Sequence, residues 1–202
     1  MTERNELLSA LRSGLVNLEG HASSPGFVGY FESSGALPRR QAAGLAVRAI
    51  FDSSRPWTAM GNPHIFGCLE KVVKKFVLPA QDVEAYLSPL LAHGWLRAYD
   101  HYSHVPAPAI LGDGDPDLVT KACIALMDID GLKGHFFLHQ DDIVFYPHEE
   151  VGFGAIALND SARGKAKGLL QGLADDKAWR IHLFPLPHQL PSASAARRFS
   201  GK

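Results

Sequence analysis

Cysteine is scarce in this 202-residue sequence, and the two cysteines present, Cys68 and Cys123, lie far apart. Each falls inside an apolar helical pattern, which indicates buried thiols in a reducing compartment rather than a disulfide framework. No run of about 18 apolar residues occurs, so the sequence provides no transmembrane helix. Residues 1–18 mix charged side chains with leucines and lack the apolar core of a secretion signal. We therefore expect a cytoplasmic protein that does not bind membranes.

A net charge of either sign is also missing, because 20 lysines and arginines nearly balance 21 aspartates and glutamates. Such a chain has no overall field that would draw it onto nucleic acid or an anionic membrane. We do not expect nucleic acid as a partner, and a charged partner would have to be recognised by a local patch. Because 46% of the residues are hydrophobic and 20% are charged, most of the chain should fold into a globular structure.

Several motifs of common enzymes are absent as well. The sequence has no phosphate-binding loop that ends in Gly-Lys-Ser/Thr, and no Gly-x-Gly-x-x-Gly after a strand. It also lacks a strand-serine-helix nucleophile elbow and a low-pKa cysteine in a basic setting. We therefore predict no cofactor and no catalytic residues, while an enzyme of another kind stays open as an alternative.

The first half of the sequence favours helices. Apolar residues recur at helical spacing in four segments, residues 6–18, 38–50, 62–77 and 83–93. In the third segment, Asn62 and Pro63 are expected at the N-cap and the first helical position. Pro89 should kink the fourth helix or split it at Ser88. Residues 27–31 fit either an edge strand or an extended linker.

The period changes in the second half, after a Pro-, Gly- and Asp-rich connection at residues 105–116. Asp115 and Pro116 should begin a helix that ends at Gly131. From there, alternating side chains predict strands. The predicted strands are residues 135–139, 143–146, 153–158 and 179–184, with a short turn at residues 140–142 and a helix capped by Asp160 or Ser161.

These patterns predict an α+β fold. Residues 1–112 would form a mainly helical part, packed with a small, mainly antiparallel β-β-β-α-β unit in residues 113–186. Residues 187–202, which are rich in Pro, Ser and Ala, are predicted to be a disordered tail. A single compact domain is the alternative to two units at this length.

Ten histidines invite a metal hypothesis. The candidate groups are His101 with His104, His135 with His139, and His148 with Glu149 and Glu150. Zinc needs three or four ligands at one point, and none of these groups has a recognised partner spacing. Residues 113–117 look like the start of a calcium loop, but Leu118 and Ile124 stand where its glycine and its glutamate should be. We therefore predict no bound metal.

The most unusual segment is residues 140–154, where acids stand beside aromatic and histidine side chains. Aromatic residues are favoured at the centres of interfaces, and carboxylates steer a basic partner and speed association. The predicted partner-binding residues are Asp141, Asp142, Tyr146, His148, Glu149 and Glu150. The alternative is a solvated hairpin whose aromatic side chains face the core.

Two stretches of this region carry a resemblance to a known class of protein. Residues 134–139, Gly-His-Phe-Phe-Leu-His, and residues 142–154, Asp-Ile-Val-Phe-Tyr-Pro-His-Glu-Glu-Val-Gly-Phe-Gly, resemble the sheet of small bacterial immunity proteins, which neutralise secreted antibacterial toxins. The resemblance covers about 25 of the 202 residues. It implies a cytoplasmic protein without catalytic residues, whose acidic surface occludes the active site of a basic toxin domain.

The leading hypothesis is therefore a non-catalytic protein-binding protein of the immunity type. The main alternative is a small enzyme or metal-binding protein that uses a His/Glu cluster. A deep pocket that joins His101, His135, His139 and Glu149 would favour this alternative.

A third hypothesis is a winged-helix-like regulator that binds nucleic acid. Residues 66–99 predict two helices followed by Gly-Trp-Leu-Arg, which is similar to the end of a winged-helix module. The second of these helices would have to lie against the phosphates, yet it carries Asp82 and Glu84 instead of a basic face.

Overall fold

The computed structural model describes residues 3–112 and 115–184, and it confirms the predicted α+β class. The helices are α1 (Glu3–Arg12), α2 (Arg39–Ile50), α3 (Leu69–Phe76), α4 (Ala80–Asp82), α5 (Ser88–Ala92), α6 (Pro116–Asp128) and α7 (Asp160–Gly172). The strands are β1 (Phe27–Ser33), β2 (Thr58–Gly61), β3 (His64–Phe66), β4 (Arg97–Tyr99), β5 (Ala109–Gly112), β6 (Phe136–Gln140), β7 (Ile143–His148), β8 (Gly152–Ala157) and β9 (Trp179–Leu183).

A seven-stranded sheet organises the chain, in the order β5-β2-β6-β7-β8-β1-β9. All its neighbouring strands pair antiparallel. Strands β6 to β9 with α7 form the predicted β-β-β-α-β succession. Strands β1, β2 and β5 come from residues 1–112 and belong to the same sheet, so the part expected to be mainly helical also supplies three strands.

Two layers of helices and turns cover the sheet. Helices α2, α6 and α7 pack on one face, over a core that includes Phe31, Phe136 and Phe153. Helix α1 and the 3-10 turn at residues 21–23 lie on the other face, over a smaller core with Phe137 and Tyr146. The side chains that alternate along β6 therefore point to opposite faces of the sheet, with Phe136 in the larger core and Phe137 in the smaller one.

Several local predictions are confirmed at the ends of elements. Asp115 caps α6 by accepting a hydrogen bond from the Asp117 backbone N–H at 2.9 Å, and Pro116 occupies the first turn. Residues 27–31, whose structure was left open, form most of β1. The predicted cap of α7 is wrong by one or two residues, because Asn159 rather than Asp160 or Ser161 accepts a hydrogen bond from the Ala162 N–H, at 2.8 Å. In α6 and α7, a short polar side chain therefore accepts a hydrogen bond from an N–H group of the first turn that has no partner within the helix.

The prediction that Asn62 caps a helix is wrong. Residues 64–66 form β3, which pairs parallel with β4, and α3 begins only at Leu69. Gly67 separates the two elements with a φ of 81°. The Asn62 side chain instead accepts a hydrogen bond from the His135 backbone N–H at 2.8 Å, so it holds the start of β6.

The region around Pro89 is helical throughout. Helix α4 continues into a π-helical turn at residues 83–87, and α5 follows with Pro89 in its first turn. The helix is therefore not interrupted at Ser88, where a split was predicted. Its backbone hydrogen bonds instead change there from a π-helical to an α-helical pattern. A π-helical turn accommodates the carbonyl group that proline leaves without an N–H donor.

The two cysteines differ in environment. Cys123 is fully buried in α6, whereas Cys68, which was expected in the core, is exposed at the residue before α3. Both carry free thiols. Asp113, Gly114 and the tail at residues 187–202 lie outside the described residues. No described helix has the length and apolar character that crossing a membrane requires.

Candidate functional site

The six predicted partner-binding residues lie along strand β7 and at both of its ends. Asp141 and Asp142 form the turn before this strand, whereas Glu149 and Glu150 form the turn after it. Six strand residues separate the two turns, which corresponds to about 20 Å at 3.3 Å per residue. The structure therefore does not bring the four acids together on one surface.

The turn between β6 and β7 holds its acids in local contacts. Asp141 and Asp142 have φ values of 54° and 61°, as in a two-residue hairpin turn of type I′. Asp141 pairs with Arg55 at 2.6 Å. The Asp142 carboxylate accepts a hydrogen bond from the Asn159 side chain at 2.9 Å. These two acids are half-buried and contact neighbours of their own chain.

The turn between β7 and β8 presents its acids to solvent. Glu149 and Glu150 are both exposed. The Ser33 backbone N–H donates to the Val151 carbonyl oxygen at 2.8 Å and fixes the turn to the end of β1. Val151 has a φ of 60°, which costs energy for a β-branched residue, but its side chain is buried in the main core. Packing therefore holds this turn in one conformation.

A cleft opens beside this turn, with a volume of about 450 Å³. Its lining includes the C-terminal end of α6, the segment before β6 and the 3-10 turn at residues 21–23. We call it the histidine cleft, and it is defined here by His21, Arg39, Asp130, Lys133, His135, Tyr146, Glu149 and Glu150. Three of the predicted residues, Tyr146, Glu149 and Glu150, therefore share one site.

The floor of the histidine cleft consists of two histidines and a tyrosine. Nδ1 of His135 lies 3.4 Å from Nε2 of His21, and the rings of His21 and Tyr146 have centroids 4.2 Å apart. Burial and the nearby His135 lower the pKa of His21 to about 4. Burial and then the nearby His64 lower the pKa of His135. Burial raises the pKa of Tyr146, so the floor carries no charge at neutral pH.

Backbone contacts place His135 at this position. Its N–H donates to Asn62, and its carbonyl oxygen accepts from the Asn62 backbone N–H at 3.0 Å. The preceding Gly134 has a φ of 105°, and a Cβ there would lie 2.4 Å from the Asn62 carbonyl oxygen. Only glycine fits this approach, because any side chain would displace the backbone.

Arg39 of α2 forms part of one wall of the cleft. Arg39 donates to the carbonyl oxygen of Met127 at 2.6 Å and to that of Glu149, so it joins the end of α6 to the β7–β8 turn. The adjacent Arg40 binds the buried Asp82 through two nitrogens and donates from Nε to Asp128 at 2.7 Å. These contacts, above all the hydrogen bond to Asp82, raise the pKa of Arg40.

The rim of the cleft is acidic. Asp130, Glu149 and Glu150 are exposed there, and two exposed cations, Arg39 and Lys133, line the same cleft, so the acids outnumber the bases. Within residues 3–112 and 115–184, none of these three carboxylates has a lysine, arginine or histidine at ion-pair distance. An uncharged floor under a negative rim suits the side chain of a lysine or an arginine, whose charge stays near the rim.

His148 lies outside the cleft, on the same face of the sheet. Its ring stacks on Tyr30 with centroids 4.8 Å apart, and His182 stacks on Tyr30 at 4.4 Å. Nε2 of His182 lies 3.3 Å from the Glu32 carboxylate. The Tyr30 ring therefore lies in a stack with two imidazoles. The stack adjoins the acidic rim, because Nδ1 of His148 accepts a hydrogen bond from the Glu150 backbone N–H at 3.3 Å.

The histidines proposed for a pocket or a metal site are dispersed. His135 and Glu149 both line the cleft, but His139 is fully buried elsewhere in β6. His101 and His104 are exposed in the loop after β4, with ring centroids 6.2 Å apart. Among the described residues, the His21–His135 pair has no third histidine, cysteine or carboxylate donor at metal-binding spacing.

The region considered for nucleic-acid binding has the expected helices but a different ending. Its strand β4 pairs parallel with β3 rather than forming an antiparallel hairpin. Asp82 of the second helix is buried against Arg40. Glu84 is exposed on that helix.

Comparisons with known proteins found no significant match to this chain. No family model matches the chain, and no curated protein or solved structure is significantly similar to it.

Proposed function

We propose that the protein is a non-catalytic binding protein of the immunity type, which holds a basic surface of a cognate antibacterial toxin against the acidic rim of the histidine cleft. The observation that carries the proposal is the exposure of Asp130, Glu149 and Glu150 around an open cleft with an uncharged floor. Carboxylates in this position steer a basic partner during approach, and the cleft admits one of its lysine or arginine side chains.

The rigidity of the rim supports the same proposal. Arg39 and Ser33 bind the backbone of the β7–β8 turn, so Glu149 and Glu150 are held in place before a partner arrives. A preorganised surface loses less conformational entropy on association. We place the interaction in the cytoplasm, in keeping with the two free thiols.

One observation favours an enzyme as the second candidate. His21 and His135 face each other in the cleft with lowered pKa values, and perturbed histidines in clefts are common among general acids and bases. This function would depend on the floor of the cleft, whereas toxin binding would depend on its rim. Variants of the two parts therefore separate the candidates.

The test is a calorimetric titration of the protein with the toxin domain encoded by the neighbouring gene of its native host. We expect one-to-one binding that the double variant Glu149→Lys/Glu150→Lys weakens at least tenfold, because reversed charges repel a basic surface. The matched control is Glu70→Lys/Glu84→Lys, which makes the same change in net charge at exposed positions outside the cleft. The control variant should bind like the unaltered protein.

Two outcomes contradict the proposal. Equal weakening by both double variants would show that only the net charge matters. Absence of binding to the neighbouring gene product, together with a bound metabolite whose retention is lost in His21→Phe, would replace the proposal with the enzyme.

A further inference from the structure

A second group of polar side chains lies on the same sheet face, where α1 approaches the β6–β7 turn. It consists of Glu6 from α1, His139 from β6 and Asp142 from the turn. One potential ligand atom from each residue lies within 4.8 Å of those of the other two. His139 is fully buried, and the two acids are half-buried. This group is separate from the histidine cleft.

The fold positions the three residues through rigid elements. His139 lies in a strand with a neighbour on each side, and it pairs with Thr58 of β2 and Val144 of β7. Helix α1 packs on β2 and β6, which places Glu6 over this part of the sheet. Asp142 occupies the second position of the type I′ turn, with a φ of 61°. Sites built on strands and helices hold their ligands precisely enough for a metal ion.

We propose that Glu6, His139 and Asp142 bind a divalent transition-metal ion, with Zn²⁺ as the best fit. An imidazole nitrogen with two carboxylate oxygens is a donor set that zinc accepts, and a water molecule can complete a tetrahedral site with three protein ligands. Calcium and magnesium prefer oxygen ligands alone, so the imidazole disfavours them.

The separation of the donor atoms is close to what zinc requires. Zinc lies about 2.0–2.2 Å from nitrogen and oxygen ligands, which places tetrahedral ligands roughly 3.3–3.6 Å from each other. The three ligand atoms lie within 4.8 Å of one another, so the group has to contract by at most about 1.5 Å. The side chain of Glu6 is long and can rotate, so this contraction needs no movement of the sheet.

A hydrogen bond outside the group orients one of the proposed ligands. The Asn159 side-chain amide donates to Oδ2 of Asp142 at 2.9 Å, while its Oδ1 caps α7. Carboxylates that bind metals are commonly held by such second contacts, which fix the orientation of the oxygen atoms. The neighbouring Asp141 has no such role, because it pairs with Arg55 on the surface. The two acids of one turn therefore have different functions in this proposal.

The proposed ion would connect α1 to the sheet. An ion bound only by the folded state adds stability that increases with its free concentration. Hydrogen exchange of the α1 amides should slow when zinc is added, since the helix would be held at Glu6. This effect links the metal to a particular element of the fold.

The experiment uses the full, untagged chain after removal of metals, titrated with ZnCl2 and separately with MnCl2 in a calorimeter. We expect one zinc ion per chain, bound at least tenfold more weakly by Glu6→Gln and by Asp142→Asn. The matched controls are Asp141→Asn in the same turn and Glu19→Gln, an exposed acid. Both should retain the affinity of the unaltered chain within about twofold.

Nuclear magnetic resonance of the histidine ring nitrogens provides an independent readout in the unaltered chain. Zinc should shift the His139 ring resonances before those of the exposed His101 and His104. The proposal is overturned if no zinc binds, if binding is the same in both ligand variants, or if the His139 resonances do not move. Because the last result needs no substitution, it decides the matter even where a variant fails to fold.

Discussion

The ring of Tyr146 occupies the space in which a side chain at Gly154 would stand. The two residues pair directly between β7 and β8, and a Cβ built on Gly154 would lie 2.0 Å from Cζ of Tyr146. The ring can therefore lie across the neighbouring strand and contact His21. The floor of the histidine cleft depends on this single missing side chain.

The first prediction concerns Gly154→Ala. The added methyl group overlaps the Tyr146 ring, so the ring must leave its position or the strands must separate. We expect a loss of about 2–3 kcal/mol in the free energy of unfolding, the usual cost of overpacking a core. Urea denaturation followed by circular dichroism measures this loss.

A double-mutant cycle tests the cause. Tyr146→Ala removes the ring, so Gly154→Ala should cost less than about 1 kcal/mol in the Tyr146→Ala background. An equal cost in both backgrounds would mean that the methyl group is opposed by the backbone of β8 rather than by Tyr146.

The second prediction is a pH dependence that originates from His21. Its pKa in the folded protein is about 4, below the value of about 6.5 in an unfolded chain, so the unfolded state binds more protons between these values. The contribution of His21 to stability is complete above pH 6.5 and is lost progressively as the pH falls towards 4. Because His21 is only partly buried, we expect a loss on the order of 1–2 kcal/mol.

The measurement compares the free energy of unfolding at pH 7 and pH 4.5 for the unaltered chain, His21→Phe and His101→Gln. Phenylalanine keeps a ring against Tyr146 but cannot be protonated, so the variant should lose less stability on acidification. His101 is exposed, and its variant should follow the unaltered chain. The prediction fails if His21→Phe shows the full pH dependence.

The third prediction concerns Arg40, which joins α2 to two acids. The side chains of Asp82 and Asp128 are only 6% and 9% exposed. Removal of Arg40 leaves Asp82 poorly solvated without this ion pair, and Asp128 with the longer contact to Arg39 at 3.8 Å. Arg40→Leu should therefore lower the free energy of unfolding by about 2–3 kcal/mol, somewhat less than for a fully buried pair because Arg40 itself is partly exposed.

Arg48→Leu provides the control for Arg40→Leu, because Arg48 is an exposed arginine of the same helix. Its effect on urea denaturation should stay within about 0.5 kcal/mol. A cost below about 1 kcal/mol for Arg40→Leu would show that water replaces the guanidinium group at Asp82 and Asp128.

Local chemistry explains which parts of the fold were predictable from the sequence. The alternation in residues 135–146, the Asp115 cap and the β6–β7 turn all depend on neighbours in the chain, and they were predicted correctly. Asn62 also looked like a helix cap from its neighbours, but a hydrogen bond to His135 determines its role. Partners that lie far along the chain are not visible in a local pattern.

The candidate site shows the same limit. His21 lies in a short turn that sequence patterns indicate only as a break, and its contact with His135 joins residues that are far apart. Arg39 is held in the wall of the histidine cleft by hydrogen bonds to the backbone carbonyl groups of Met127 and Glu149. Every residue has a carbonyl group, so the sequence gives no sign of these contacts. In contrast, the separation of Asp141 from Glu149 follows from the length of the strand between them, so the sequence alone already argues against a single acidic surface.

The position of β1 between β8 and β9 affects how the chain can fold during synthesis. Phe31 leaves the ribosome before its strand partners Phe153 and Ile181, which follow it by more than 100 residues. Contacts at such a separation close slowly, and a strand that waits for them exposes apolar side chains and free backbone groups. Nascent chains that stop before β8 should therefore depend on chaperones, and synthesis of the last two strands should release them.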